Sequence, residues 1–247
     1  VSTLVKIENG FIKGVKEGNL KKYLGIPYAE PPVGNLRWAS ARPALNWEGI
    51  KSTDSNSKIC FQPKQIADFY DRVPDINNMS EDCLTLNVWT RAKNSDEKLP
   101  VMVWFHGGAL VWGSGREYPG DALTEHGVIL VTVNYRLGPF GFFSHPELST
   151  ETGSSGNQGF SDQIQSLKWV KENISQFGGD PNNVTIFGES AGSWSVNVLQ
   201  ASPVTKGLFH KAIGQSGARL IPLTHLNKRT TYSNSAASAS SVILYCC

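Results

Sequence analysis

Four short and almost uninterrupted apolar runs, Leu84–Thr90, Val101–Phe105, Val128–Val133 and Val184–Phe187, rise out of a polar background. Runs of this length, rich in β-branched and aromatic residues, predict strands buried on both faces. Between the last two, Ile164, Leu167, Val170, Ile174 and Phe177 recur every three or four residues, which predicts a helix over 161–177. Asp162 falls in its first turn, where the helix dipole favours a carboxylate, and Gly178-Gly179 ends it. Strands alternating with helices give an α/β class: a mostly parallel sheet with helices on both faces, receiving ligands at the carboxyl ends of its strands. Ahead of this core, Leu4–Ile7, Phe11–Val15 and Leu20–Leu24 are separated by Asn-Gly and Glu-Gly-Asn turns and predict a small N-terminal antiparallel sheet. From 31 to 80 the periodicity dissolves. Pro31, Pro32, Pro43, Pro63 and Pro74, with isolated aromatics at Trp38, Trp47, Phe61 and Phe69, predict long ordered loops draped on the core.

Candidate chemistry sits where two of these strands end. Gly188-Glu189-Ser190-Ala191-Gly192 follows Val184–Phe187 and precedes a helix-compatible stretch, the strand-turn-helix setting in which G-x-S-x-G presents a nucleophilic serine. The glycines suit a turn that strains the serine backbone and brings strand and helix close together. A helix starting there also aims free N–H groups, that of Ala191 among them, at charge developing beside Ser190. Alone, such a serine is more often an ordinary turn residue. The companion is His106-Gly107-Gly108-Ala109, directly after Val101–Phe105, of the kind that contributes oxyanion donors in esterases and lipases.

Composition narrows the partners. The 247 residues carry 23 basic and 21 acidic side chains, a net charge of +2, and no basic stripe, which argues against nucleic acid. No apolar run approaches the roughly 18 residues needed to cross a bilayer. Histidine and cysteine show no zinc spacing, so neither metal nor cofactor is expected. Cys60 and Cys83 enclose a polar segment, while Cys246 and Cys247 are adjacent. The first pair reads either as a structural disulfide, worth roughly 3 kcal/mol and pointing to an oxidising compartment, or as two unpaired thiols. Sequons occur at Asn78, Asn173 and Asn183, with Asn78 expected to be the most exposed.

With these residues in hand the chain resembles the type-B carboxylesterases, the cholinesterase-like branch of the α/β-hydrolase fold. The likeness runs from Gly25-Ile26-Pro27-Tyr28-Ala29 and Pro31-Pro32-Val33-Gly34, through Glu81-Asp82-Cys83-Leu84 and the H-G-G block, to Asn134-Tyr135-Arg136 and Gly156-Asn157-Gln158-Gly159. Its most specific piece is Phe177-Gly178-Gly179-Asp180-Pro181 leading to Ser190 and Gly192. The resemblance implies Ser190 as acyl-ester nucleophile, Gly108, Ala109 and Ala191 as oxyanion donors, Gly107 and Glu189 at the pocket, a Cys60–Cys83 disulfide, and a small carboxylic ester as substrate. Ala109 stands where many members have glycine. Glu189 reads equally as an acidic residue favoured at a helix start. Leu110 and Trp112 read as pocket lining or as plain packing.

The triad partners are the difficulty. In this fold an acid and then a histidine follow the serine, yet residues 191–247 contain no Asp or Glu. Of the later histidines, His210 lies in an ordinary helix-strand junction and His225 in a tail; His106 suits bracing a turn better than accepting a proton. Residues 1–218 therefore read as the N-terminal portion of the domain and 219–247 as an atypical tail, with the C-terminal part of the fold missing. Two readings follow: a serine ester hydrolase, esterase or lipase, whose acid and base lie outside this chain, or an inactive, truncated or binding-only relative. An unfinished sheet would also favour self-association through its open edge.

Overall fold

The computed structural model describes residues 3–64 and 75–217. The tail from 219, with His225, Cys246 and Cys247, lies outside the described residues, as does Phe69. In chain order the elements are strands β1 (Leu4–Ile7), β2 (Gly10–Lys13), β3 (Val15–Glu17), β4 (Leu20–Pro27), β5 (Ile50–Ser52), β6 (Ile59–Cys60), β7 (Met79–Ser80), β8 (Thr85–Thr90), β9 (Leu99–Phe105) and β10 (Ile129–Val133). Helices α1 (Gly138–Phe142), α2 (Pro146–Thr152) and α3 (Gln158–Asn173) precede β11 (Gly179–Glu189), α4 (Ala191–Ala201) and β12 (Lys211–Gln215).

Among the described residues the main sheet has seven strands in the order β12-β11-β9-β10-β8-β4-β3. Its β12-β11-β9-β10 half is parallel, and its β10-β8-β4-β3 half is antiparallel. The sheet, expected to be mostly parallel, is thus mixed, and its parallel half carries the candidate site. At the edge the reason is connection length: only Gly18 and Asn19 join β3 to β4, too few for a parallel crossover. The N-terminal sheet has the expected three strands but a different third member, because the run beginning at Leu20 pairs with β8 in the main sheet. What is left is β1 against β2 antiparallel, with β5 adding parallel to β2.

Side chains alternate across the sheet, and both sides are buried, which explains the uninterrupted apolar runs. Val101, Val103 and Phe105 of β9, Ile129, Val131 and Val133 of β10, and Leu86 and Val88 of β8 face one core, which Leu167, Val170, Val196 and Leu199 of α3 and α4 complete. Trp104, Leu130 and Trp89 point the other way, with Leu20. There the expected helical layer is replaced, among the described residues, by short 3-10 turns at Gly115–Glu117 and Leu123–His126, from which Tyr118 and Leu123 pack on the sheet. Gly113, Gly115, Pro119, Gly120 and Gly127 break up that crossover, so no long helix can form in it.

α3 spans Gln158–Asn173 and tightens into a 3-10 turn at Ile174–Phe177, closed by Gly178 at φ 85°. Asp162 does not serve the first turn. It is fully buried and accepts from the Arg136 backbone N–H and Nε, both at 2.9 Å, and from Nη2 at 2.6 Å. Arg136 Nη1 donates to the Arg37 carbonyl at 2.9 Å, so the guanidinium ties the segment after β10 to α3 and to the loops. Burial pulls the Arg136 pKa down, but the charge and hydrogen bonds of Asp162 outweigh it and keep the cation above its ordinary range.

The Cys60–Cys83 disulfide is present. Asn173 is no glycan acceptor: its side chain is buried, accepts from the Glu8 N–H and donates to the Trp169 carbonyl. The Asn183 Oδ1 accepts from Lys211, and Asn78 is half-buried rather than prominent.

Candidate active site

Ser190 links the end of β11 to the first turn of α4 with φ 53° and ψ −119°, a backbone region that costs a non-glycine residue on the order of 1–3 kcal/mol. Two backbone hydrogen bonds hold it there. Its N–H donates to the Gln215 carbonyl of β12 at 2.9 Å, and its carbonyl receives the Trp194 N–H at 3.1 Å. The flanking glycines are needed for space: a Cβ on Gly192 would lie 2.0 Å from the Phe105 carbonyl oxygen, and one on Gly188 would lie 2.5 Å from the Gly192 carbonyl carbon. Strand and helix therefore touch backbone to backbone.

Parallel pairing brings the second element alongside. Gly188 is in register with Phe105, so the residues that follow each of them leave the sheet together. A Cβ on Gly107 would sit 3.3 Å from the Ser190 Cβ, 2.9 Å from the Glu189 carbonyl oxygen and 3.0 Å from the Glu189 carboxylate. The H-G-G loop and the elbow are thus in contact, with Glu189 at the junction. Beyond Gly107 the backbone runs through three consecutive positive φ angles, 95° at Gly108, 55° at Ala109 and 64° at Leu110. Gly108 requires glycine, since its Cβ would lie 2.1 Å from the Trp112 carbonyl oxygen.

The Gly108 carbonyl accepts from Val111 at 2.9 Å and Trp112 at 3.1 Å, and the Leu110 carbonyl from Gly138 at 2.8 Å. Among the described residues the N–H groups of Gly108 and Ala109 donate to no protein acceptor. Ala191 is the first residue of α4, where helical N–H groups have no intrahelical partner. Gly107 is buried, Gly108 and Ser190 are half-buried, and Ala109 is exposed, so the contact zone opens to solvent on one side. Leu110 is partly buried and packs against the main core, and Trp112 lies against Gly108.

His106 braces this loop. Its Nδ1 is 2.8 Å from the Gly107 carbonyl and must carry the proton, because a carbonyl only accepts. The ring stacks on Tyr135 with centroids 4.4 Å apart, and the Tyr135 hydroxyl donates to the His106 carbonyl at 2.7 Å. Nε2 is buried with no protein partner among the described residues. Burial drives the pKa down to about 4, with the Gly107 hydrogen bond only partly opposing it. A ring so weakly basic is a poor proton acceptor at neutral pH. His210 is also misplaced for that task, since it bonds to Val184, six residues or about 20 Å of strand away from Ser190.

The neutral His106 has a consequence for stability. Below the ordinary value of 6.5 the unfolded chain takes up a proton that the folded ring refuses until about 4. Stability is therefore expected to fall by about 3 kcal/mol as the pH drops through that window, and then to level off. Imidazole NMR resonances followed against pH check this directly: His106 is expected to hold its neutral-form shifts at pH 5, and titration near 6.5 would refute it.

Two contacts had no signal in the sequence. The Ser193 hydroxyl and the Asn197 amide, on the first turns of α4, both donate to the Gly217 carbonyl. Gln62, from the irregular loops, bonds to Gly113. Among the described residues no group of three or more His, Cys, Asp or Glu side chains could hold a metal, and no helix is long and apolar enough to cross a membrane.

Residues 1–243 match the Carboxylesterase family. The chain is 46% identical to the para-nitrobenzyl esterase of Bacillus subtilis (strain 168), covering 98% of this chain and 47% of that protein. It is 47% identical to liver carboxylesterase 1 of Oryctolagus cuniculus over 81% of this chain and 36% of that one. A solved structure of a PNB esterase superposes with a TM-score of 0.86 at 43% identity, over 96% of this chain and 48% of the other. A carboxylesterase of Geobacillus stearothermophilus gives 0.84 at 38%, over 94% and 47%. The chain spans about half the length, or less, of the relatives it matches.

Proposed function

The chain belongs to the carboxylesterase family, and from that membership we propose that it is part of a serine carboxylic-ester hydrolase in which Ser190 is the nucleophile. The Ser190 Oγ attacks the ester carbonyl carbon while a histidine takes its proton. The oxygen of the tetrahedral intermediate is held by the N–H groups of Gly108, Ala109 and Ala191. Collapse expels the alcohol, which receives the proton, and leaves an acyl-serine. Water then attacks the acyl carbon by the same route and frees the acid and Ser190. Gly107 and Glu189 line the reacting centre. The histidine and its orienting acid come from outside the described residues, in line with relatives about twice as long as this chain.

The observation that carries the reading is the contact of Gly107 with Ser190, at 3.3 Å from an ideal Cβ, beside a serine held at φ 53°. An activated organophosphonate is expected to add its mass to the peptide containing Gly188–Gly192 in the full protein, and not in Ser190→Ala. Labelling of another residue, or none, would count against the assignment and favour an inactive or binding-only relative.

Two further points belong to this reading. The Cys60–Cys83 disulfide supports an oxidising compartment such as secretion. The outer edge of β12 is unpaired among the described residues and Ile213 on it is 45% exposed, so the 247-residue chain alone is expected to self-associate; light scattering that reports a monodisperse monomer would refute this.

A further inference from the structure

Gln62 lies two residues past Cys60, in a stretch with no periodicity and no recognisable motif. Its carboxamide nevertheless closes a two-bond ring with a single distant residue. The Gly113 N–H donates to Gln62 Oε1 at 2.8 Å, and Gln62 Nε2 donates to the Gly113 carbonyl at 3.2 Å. The same Nε2 donates to the Cys60 carbonyl at 3.0 Å. The side chain thus acts as a short piece of strand, pairing with Gly113 on one side and anchored beside the disulfide on the other.

Gly113 is where the oxyanion loop rejoins the fold. Residues 108–110 stand at positive φ, two of them without the freedom of glycine. Each such residue costs roughly 1–2 kcal/mol, so the loop keeps this shape only if its ends are held. One end is held by β9 and by His106, whose Nδ1 bonds to the Gly107 carbonyl. The middle is held by Gly138 on Leu110. At the far end Gly113, at φ 105°, presses on the same His106 ring, 2.6 Å from Nδ1 to an ideal Cβ. Among the described residues, the side-chain ties on the N–H and C=O of Gly113 both come from Gln62.

We propose that Gln62 is a positioning residue that fixes the oxyanion loop through Gly113 and couples it to the Cys60–Cys83 disulfide. The catalytic part of this claim rests on the ester-hydrolase reading; the mechanical part does not. Gln62 touches no reacting atom, so its loss displaces the donors at 108 and 109 without removing a substrate contact. A misplacement of this kind acts on kcat and not on KM.

The test uses the full protein with Gln62→Leu, which keeps the bulk and loses both bonds, and Gln62→Glu, which keeps an acceptor for the Gly113 N–H and loses the donor. Hydrogen exchange of backbone amides is followed with the disulfide intact and reduced, alongside kcat and KM for a simple ester. In Gln62→Leu the Gly113 amide is expected to exchange about tenfold faster or more, with β9 amides unchanged. There kcat is expected to fall about 10- to 100-fold at constant KM, and Gln62→Glu is expected to recover part of both losses. Reducing the disulfide is expected to loosen Gly113 in the wild type and to add nothing in Gln62→Leu. Unchanged Gly113 exchange in both variants, or an equal effect of reduction with and without Gln62, would overturn the proposal. Should the wild type turn over no ester, the hydrolase reading fails while the exchange measurements still decide the mechanical claim.

Discussion

Ser190→Ala is expected to lower ester turnover by the full protein about a million-fold, the cost of losing the nucleophile of a hydrolase triad. The loss should fall on kcat. Gly107, Gly108, Ala109 and Ala191 are held by backbone geometry that does not involve the Ser190 hydroxyl, since the bonds at this residue run through its N–H and carbonyl. The proposed oxyanion donors therefore survive, and a residual rate of roughly a thousand to ten thousand times that of water is expected from them and from binding. The fold should be unaffected, because alanine at φ 53° is strained to the same degree as serine. Steady-state kinetics with a chromogenic ester and a parallel thermal melt check both halves. Turnover within tenfold of wild type would remove Ser190 from the reaction.

The largest expected effect on stability is at Arg136. Arg136→Leu is expected to cost about 3–5 kcal/mol, because it leaves the Asp162 carboxylate buried with its cation and two of its three donors gone, only the backbone N–H of residue 136 remaining, and an uncompensated buried charge is worse than no pair at all. Removing both charges together, in Arg136→Met with Asp162→Leu, should recover much of that loss. Denaturant midpoints of the three proteins make the comparison. The consequence reaches the site, since Arg136 follows Tyr135, and Tyr135 stacks on the His106 ring that braces the H-G-G loop. A destabilised Arg136→Leu should therefore also label more slowly at Ser190. A midpoint equal to that of the wild type would mean that the pair contributes nothing to folding.

What could be read in advance follows the range of the interaction. The strands at 101–105 and 184–187 and the helix over α3 are written in local periodicity and reach the structure, although β11 begins at Gly179, well before the apolar run at 184. The elbow is legible because its demands are local as well: two glycines flanking a serine between a strand and a helix. Its contact with the H-G-G loop follows from one further fact, the parallel pairing of β9 with β11. Where a residue's role depends on a partner far along the chain, the local pattern misleads or says nothing. Asp162 looks like a dipole-favoured residue near a helix start, and only Arg136, 26 residues earlier, makes it a core ion pair. Gln62 looks like loop, and its partner lies 51 residues away. Likewise, alternation over Leu20–Leu24 marks a strand without saying which sheet it joins, and the choice is made by pairing with β8. The gap between β9 and β10 was long enough for a helix, but its glycines and Pro119 allow only turns.

The central claim is spatial: the Ser190 oxygen and the N–H groups of Gly108, Ala109 and Ala191 converge on one point. A crystal structure of the full protein phosphonylated at Ser190 tests it most directly. The phosphoryl oxygen is predicted to lie about 2.7–3.1 Å from all three nitrogens. An adduct whose oxygen points to solvent or to side chains, with those nitrogens bonded elsewhere, would contradict it.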